Sequence, residues 1–88
     1  MSTMNYLKFD LHQQNSGAVV EVRLSGVESD VFLVDSGNLR SFEGGGRYQY
    51  YGGHYKASPV RLRIPTPGHW TAVVIPKGGR VDASVRVL

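Results

Sequence analysis

The sequence predicts one small all-β domain, a compact antiparallel, jelly-roll-like β-sandwich of about six to eight short strands. Apolar and polar residues alternate with a period of two in several stretches, and turn residues separate these stretches. No window places apolar residues at helical spacing over three turns. Because 88 residues leave no room for a second core, residues 1–88 are predicted to form this single domain.

The first strands are predicted from alternation. We interpret Met1–Thr3 as a loose extension before Met4, after which a strand places alternate residues inward: Leu7, Phe9 and Leu11. A polar turn ending in glycine precedes a second strand that buries Val20, Val22 and Leu24. The residues between them, Glu21 and Arg23, are predicted to face water.

The middle of the chain leaves one question open. Val31–Val34 is apolar on both faces, which is typical either of a central strand covered on both sides or of an exposed patch used for association. Asp35–Arg40 is predicted to be a turn because it contains Ser36, Gly37 and Asn38. The glycines that follow are predicted to be flexible, and no Gly-Lys-Ser/Thr follows them as in a nucleotide-binding loop.

Prolines delimit the next predicted strand. Pro59 precedes Val60–Ile64 and Pro65 follows its last residue at once, with Val60, Leu62 and Ile64 facing inward. Because proline donates no hydrogen bond to a strand neighbour, we expect this strand to be short and to lie at a sheet edge.

The last third of the chain predicts two further strands. His69–Ile75 is expected to bury Trp70, since Ala72 and Val74 on the same face are apolar. Lys77–Gly79 is predicted to be a short hairpin connection to a final alternating strand, Val81–Val87.

Charge is distributed unevenly along the chain. Residues 1–43 contain three Lys or Arg against six Asp or Glu, a balance of −3, whereas residues 44–81 contain six Lys or Arg and no acid, a balance of +6. This asymmetry favours an anionic partner or the packing of an acidic face against a basic one. Alternatively, the two halves interleave in the sandwich and the charges pair locally.

Composition limits the cellular setting and the cofactors. The chain contains no cysteine, which is compatible with a reducing compartment. It shows no apolar leader and no apolar run of the roughly 20 residues that a membrane span needs. We therefore predict a cytoplasmic protein with no membrane contact and no cofactor.

Catalysis is not expected. His12, His54 and His69 are predicted to lie at a strand end, in a loop and at a strand start, so a three-histidine zinc site is not predicted. The acids occur singly in turns or on outward faces, which disfavours a pair of catalytic carboxylates. Ser58 precedes a proline and is interpreted as a strand-entry residue rather than as a nucleophile. We predict no enzymatic activity and no metal site.

The candidate binding site lies in the basic and aromatic stretch Arg47–Pro67. Two arginines at alternate strand positions point the same way and can hold a phosphate or carboxylate through paired hydrogen bonds. A glycine pair lets backbone N–H groups approach an anion, and tyrosines offer stacking faces. The predicted ligand-binding residues are Tyr51, Gly52, Gly53, His54, Lys56, Arg61 and Arg63.

A purely structural interpretation of the same stretch stays open. Gly52-Gly53 would then form a hairpin turn of a primed type, which requires positive φ. Tyr48 and Tyr50 would lie on a strand face, and the arginines would pair with Glu21, Asp82 or another acid on a neighbouring strand.

Three segments carry a resemblance to a known family. They are MNYLKFDL near the start, YYGGHYKASPVRLRIP in the middle and GHWTAVVIP followed by GRVDASVRVL at the end. Together they resemble the bacterial domain of unknown function 1883 family over nearly all of residues 4–88. The resemblance implies a compact β-sandwich with no established catalytic residues. Some relatives are fused to Toll/interleukin-receptor-like domains, which implies a sensing or recruiting role.

These observations predict a non-enzymatic binding module that recognises an anionic ligand or a partner protein in bacterial signalling. Two alternatives are a single-stranded nucleic-acid binder and a carbohydrate-binding sandwich that uses exposed tyrosines. The modest net charge of +3 disfavours a large phosphate footprint, so nucleic acid is the less favoured partner. A homodimer is also predicted, formed through Val31–Val34 or an open edge strand.

Overall fold

A computed structural model describes residues 5–88, so the extension predicted for Met1–Thr3 lies outside the described residues. The described chain forms seven strands and one helix. In order these are β1 (Leu7–Gln14), β2 (Val19–Gly26), β3 (Ser29–Asp35), α1 (Ser36–Glu43), β4 (Tyr51–Tyr55), β5 (Val60–Arg63), β6 (Gly68–Pro76) and β7 (Val81–Val87). The prediction of a compact all-β fold is confirmed.

The strands form two antiparallel sheets with an apolar core between them. One sheet has the order β1-β6-β3-β4 and the other the order β5-β2-β7. The core between the sheets takes alternate residues from both, including Val20, Val22, Leu33, Trp70 and Val74. Trp70 is only 2% exposed, as predicted, and β5 lies at a sheet edge, also as predicted.

Strand β3 answers the question that its apolar sequence left open. Val31 and Leu33 face the core between the sheets, whereas Phe32 and Val34 belong to a smaller apolar cluster on the other side of the first sheet, together with Phe42 of α1. All four residues of Val31–Val34 are buried. The segment is therefore a central strand covered on both sides, and the prediction of an exposed association patch at Val31–Val34 is wrong.

The turn predicted at Asp35–Arg40 is instead the beginning of helix α1. The Asp35 side chain caps the helix by accepting a hydrogen bond from the backbone N–H of Asn38 at 2.9 Å. Asp, Ser and Asn favour turns, and they also favour helix N-termini, because their side chains bond nearby backbone groups. With eight residues and one fully buried apolar side chain, Phe42, this helix is too short to show a three-turn apolar period.

The connection after β6 is not the predicted hairpin. β6 and β7 lie in different sheets, so Lys77–Gly79 carries the chain across the sandwich rather than back along its neighbour. Backbone hydrogen bonds from Lys77 to Glu28 and from Val27 to Arg80 hold this crossing beside the β2–β3 turn. Glycine-containing turn residues predict a reversal of the chain, but they do not specify the sheet that receives the next strand.

Candidate functional site

The predicted site residues lie on both sheets. Tyr51, Gly52, Gly53 and His54 belong to β4 of the first sheet, and Arg61 and Arg63 belong to β5 of the second. The residues of β3 that alternate with Asp30 point into the core between the sheets, so Asp30 itself faces the side that carries α1. His54 pairs with Asp30 and therefore lies on that side as well. Arg61 lies on the outer face of the second sheet, since Val60 and Ile64 point into the core. The structure therefore does not bring His54 and the arginines together on one face.

Gly52 and Gly53 are interior strand residues, so the predicted primed turn is wrong. They pair with Phe32 and Val31, respectively. Extended backbone directs successive N–H groups to opposite sides, and for this reason the pair does not form the predicted anion nest either. Gly52 has φ 154°, and a Cβ atom there would lie 2.1 Å from the carbonyl oxygen of Val31. Glycine is needed at this position for the close approach of β4 to β3.

His54 and Lys56 pair with acids from the first half of the chain. The His54 ring nitrogens lie 2.9 Å from Asp30 Oδ1 and 3.2 Å from Glu28 Oε2. The hydrogen bond to Asp30, followed by the one to Glu28, raises the pKa of His54. Lys56 Nζ is 4.0 Å from Glu28, and Lys77 Nζ is 2.8 Å from Asp30. On this face the alternative prediction is confirmed, because charges from the two halves of the chain pair locally.

Tyr51 begins β4, whereas Tyr48 and Tyr50 lie in the segment before this strand, so the interpretation that they lie on a strand face is wrong. Tyr51 contacts Trp70 with a ring-centroid separation of 5.8 Å. Tyr48 and Tyr50 pack on the α1 side against Phe32, at 6.0 and 5.3 Å. Tyr50 remains 52% exposed and lines a cleft of about 260 Å³ together with Asp30 and His54.

A further group of charges is centred on Glu21 of β2. The strand register places Glu21 directly between Arg61 of β5 and Arg86 of β7. All three point outward because Val20 and Val22 on the opposite face are fully buried. Glu21 was predicted to face water, yet its side chain is only 1% exposed. That prediction is wrong because the side chain points outward but the arginines cover it.

Three guanidinium groups hold the Glu21 carboxylate. Arg61 donates from Nε and Nη2 to Oε2 at 3.2 and 3.1 Å, Arg86 Nε donates to Oε1 at 2.9 Å, and Arg23 Nε donates to Oε1 at 3.2 Å. Desolvation raises the pKa of Glu21, but the hydrogen bonds from Arg61 and Arg86 outweigh this effect and hold the pKa below its ordinary value. Glu21 is therefore an ionised acceptor around which the arginines are ordered.

The orientation of these arginines leaves donors available. Arg23 and Arg86 each use Nε, and the η nitrogens of both groups bind no acceptor among residues 5–88. Arg61 contacts Glu21 through Nε and Nη2, which leaves its Nη1 for another acceptor. Arg63 lies on the same face and donates from Nη1 to the Gly17 carbonyl oxygen at a long 3.5 Å. We call this surface the arginine face: Arg23, Arg61, Arg63 and Arg86 around Glu21. Asp82 has the same outward parity in β7 and lines a shallow cleft together with Arg23. Four arginines against Glu21 and Asp82 give this face a charge of +2.

Sequence reasoning identified only part of the arginine face. It singled out Arg61 and Arg63 and named Glu21 as a pairing partner for them, and the Arg61–Glu21 pair is confirmed. It missed Arg23 and Arg86. Both have outward parity in their strands, but nothing in the sequence indicated that β7 is the neighbour of β2.

Among residues 5–88, no helix is long and apolar enough to cross a membrane. In the same residues, no group of three or more His, Asp or Glu side chains is arranged to hold a metal ion.

Comparison with known proteins identifies the family. A model of the family described as "Domain of unknown function (DUF1883)" matches residues 4–88. The chain belongs to this family. Because the match spans almost the whole chain, family membership covers both sheets, α1 and the arginine face. A search of curated proteins and a search of solved structures each found no match.

Proposed function

We propose that this chain is a non-enzymatic binding module that recognises an anionic ligand, or an acidic segment of a partner protein, through the arginine face. The observation that carries the proposal is the set of three guanidinium groups ordered on the nearly covered Glu21 carboxylate. Arg23 and Arg86 contact Glu21 through Nε and Arg61 through Nε and Nη2, so the other η nitrogens can bind an external oxyanion.

Ordering on Glu21 favours binding in two ways. The arginine side chains lose less conformational freedom on binding, since part of that loss has already occurred in the free protein. The planar guanidinium also matches a carboxylate or phosphate through two parallel hydrogen bonds. β5 and β7 flank β2, so Arg61 and Arg86 approach the Glu21 carboxylate from opposite sides and place their guanidinium groups close together.

Nucleic acid is the less favoured ligand. Proteins that hold single strands combine a basic groove with aromatic side chains on which bases stack. Here Tyr51 belongs to β4 of the first sheet, and Tyr48 and Tyr50 lie in the segment just before that strand. The arginine face lies on the second sheet. A titration of single-stranded DNA at increasing salt tests this alternative, since phosphate binding requires a steep loss of affinity.

A carbohydrate ligand has one observation in its favour. The cleft beside Tyr48 and Tyr50 combines aromatic faces with the polar groups of Asp30 and His54. A glycan array with the Tyr50→Ala variant as control tests it, and silence of the wild-type protein would exclude it.

The cellular role forms part of the proposal. The family resemblance, with its fusions to Toll/interleukin-receptor-like domains, supports a recruiting role in bacterial signalling. The absence of cysteine supports action in a reducing compartment such as the cytoplasm.

The experiment is an NMR titration of the labelled protein with hexaglutamate and with pyrophosphate. We expect shift changes at Arg23, Arg61 and Arg86, and a loss of affinity of about tenfold or more in the Arg61→Ala/Arg86→Ala variant. The matched control is Arg47→Ala/Arg80→Ala, which removes the same charge away from this face. Equal loss in both variants, or no shifts at β2, β5 and β7 with either probe, would contradict the proposal.

A further inference from the structure

A second concavity lies on the opposite side of the molecule, between α1 and the first sheet. One face of α1 forms its wall, with residues spaced three and four apart: Ser36, Leu39, Arg40 and Glu43. Outward residues of β1 and β6 form its floor: Lys8, Asp10, His69 and Thr71. We call it the α1 groove. Its volume is about 440 Å³, within the range of small-molecule sites in proteins.

Side-chain hydrogen bonds fix both ends of the α1 groove. At one end, Glu43 accepts hydrogen bonds from Lys8 Nζ at 2.7 Å and from Tyr6 Oη at 2.6 Å. At the other end, His69 Nε2 lies 2.6 Å from Asp10 Oδ1. The Lys8–Glu43 pair joins α1 to the floor of the groove, and the His69–Asp10 contact joins the two strands of the floor.

A β-bulge orients the Asp10 carboxylate. The register of β1 against β6 shifts between Asp10 and His12, and His12 has φ 60°. This conformation turns the His12 N–H onto Asp10 Oδ1 at 2.8 Å. Bulges re-aim side chains and are frequent beside functional sites. Asp10 is thereby held by a backbone group as well as by His69.

One cation in the groove has no acid for a partner. Both carboxylates are engaged, Glu43 by Lys8 and Asp10 by His69, and Arg40 forms no ion pair with any residue between 5 and 88. Next to it lie the Leu39 side chain and the Thr71 side chain, which is only 4% exposed. The groove thus offers an unpaired guanidinium, hydroxyl groups and an apolar surface within one small volume.

We infer that the α1 groove binds a small organic anion, with its carboxylate or phosphate group on Arg40 and its remaining polar groups on His69 and Thr71. This site is independent of the arginine face, since it lies on the other sheet and shares no residue with it. The chain would then hold a small metabolite on one side and an acidic partner on the other.

The test is a titration of the labelled protein with citrate, glucose 6-phosphate and neutral glucose, followed by NMR. We expect at least one anion, but not glucose, to shift the amides of Arg40, His69 and Thr71, with a Kd of about 1 mM or tighter. Arg40→Gln should weaken binding about tenfold, and Thr71→Val should weaken it without changing the charge. The charge-matched control Arg47→Gln should bind as the wild type does.

Three results would overturn the inference. They are the absence of shifts in the groove with both anions, equal losses in Arg40→Gln and Arg47→Gln, and binding that disappears in the Arg61→Ala/Arg86→Ala variant. The last result would place the anions on the arginine face instead. Retention of groove binding in that double variant separates this site from the proposed function, so the failure of either one leaves the other standing.

Discussion

Glu21 illustrates how an outward-facing charged residue becomes covered without entering an apolar core. Its strand direction follows from the alternation with Val20 and Val22. Its burial does not, because the cover consists of arginine side chains whose guanidinium groups bind its carboxylate while the side chains themselves stay more than half exposed. Alternation predicts the face of a sheet, and the neighbouring strands decide the exposure.

Replacing Glu21 by glutamine tests whether it orders the arginines. Glu21→Gln raises the net charge by one, so attraction to an anion by charge alone would strengthen. We expect weaker binding of hexaglutamate instead, by about threefold or more, because the guanidinium groups lose their shared ionised acceptor. We also expect a Tm lower by about 5 °C. Tighter binding in the NMR titration would show that Glu21 has no positioning role.

His54 should make stability depend on pH. Asp30 and Glu28 raise its pKa in the folded state above the ordinary value of 6.5. The protonated form is therefore favoured by folding, so the contribution is fully present below pH 6.5 and is lost as pH rises through the folded pKa. Chemical denaturation of wild type and His54→Gln at several pH values measures the difference in the free energy of unfolding. The difference should shrink with rising pH, and a growing difference would contradict the assignment.

Among the elements, α1 and β4 are short segments that the sequence predicted to be turns but that form a helix and a strand. α1 is held by its Asp35 cap and by Phe42, whose ring lies 5.6 Å from Phe32 and 5.0 Å from Tyr48. With one buried side chain and one cap, α1 shows no helical period of apolar residues in the sequence. β4 contains a glycine pair that is typical of turns, but the strand needs Gly52 so that β3 can approach.

The two glycines of β4 provide a matched pair of substitutions. Gly52→Ala should reduce the free energy of unfolding by about 2 kcal/mol or more, because its Cβ would meet the Val31 carbonyl oxygen and the Phe32 backbone. A Cβ atom at Gly53 would meet no other atom within 4 Å. Gly53→Ala should therefore change the free energy of unfolding by less than about 1 kcal/mol. Denaturant unfolding measures both. Equal effects would indicate that β4 is not held as closely against β3 as the structure has it.

At the scale of the whole molecule, the two sheets separate two kinds of surface. The outer face of the second sheet carries the arginine face, and the outer face of the first carries α1 with its groove and the aromatic cleft. Acids from the first half of the chain pair with bases from the second on both outer faces, as Glu21 does with Arg61 and Asp30 does with Lys77. The uneven charge of the linear sequence is thereby largely compensated, and a surplus remains on the arginine face.

The homodimer stays a prediction, now confined to the edge strands. Val31–Val34 is buried, so it offers no association surface. β1 and β7 are edge strands that border a groove of about 620 Å³, where Leu7 is partly exposed. We expect light scattering at high concentration to give twice the monomer mass of 9.7 kDa, and Leu7→Lys to shift the mass toward the monomer. A monomeric mass for the wild type would exclude the dimer.

The fold class, the directions of most strand residues, the buried Trp70 and the edge position of β5 follow from the sequence alone, because they depend on local alternation and on proline chemistry. The folded chain was needed to show that β7 lies beside β2, that α1 closes a groove over β1 and β6, and that His54 and Arg61 belong to opposite faces. Strand order is a property of contacts between residues distant in sequence, and a period of two carries no information about the neighbour. Both candidate sites are built from such contacts: Arg86 reaches Glu21 across 65 positions, and His69 reaches Asp10 across 59.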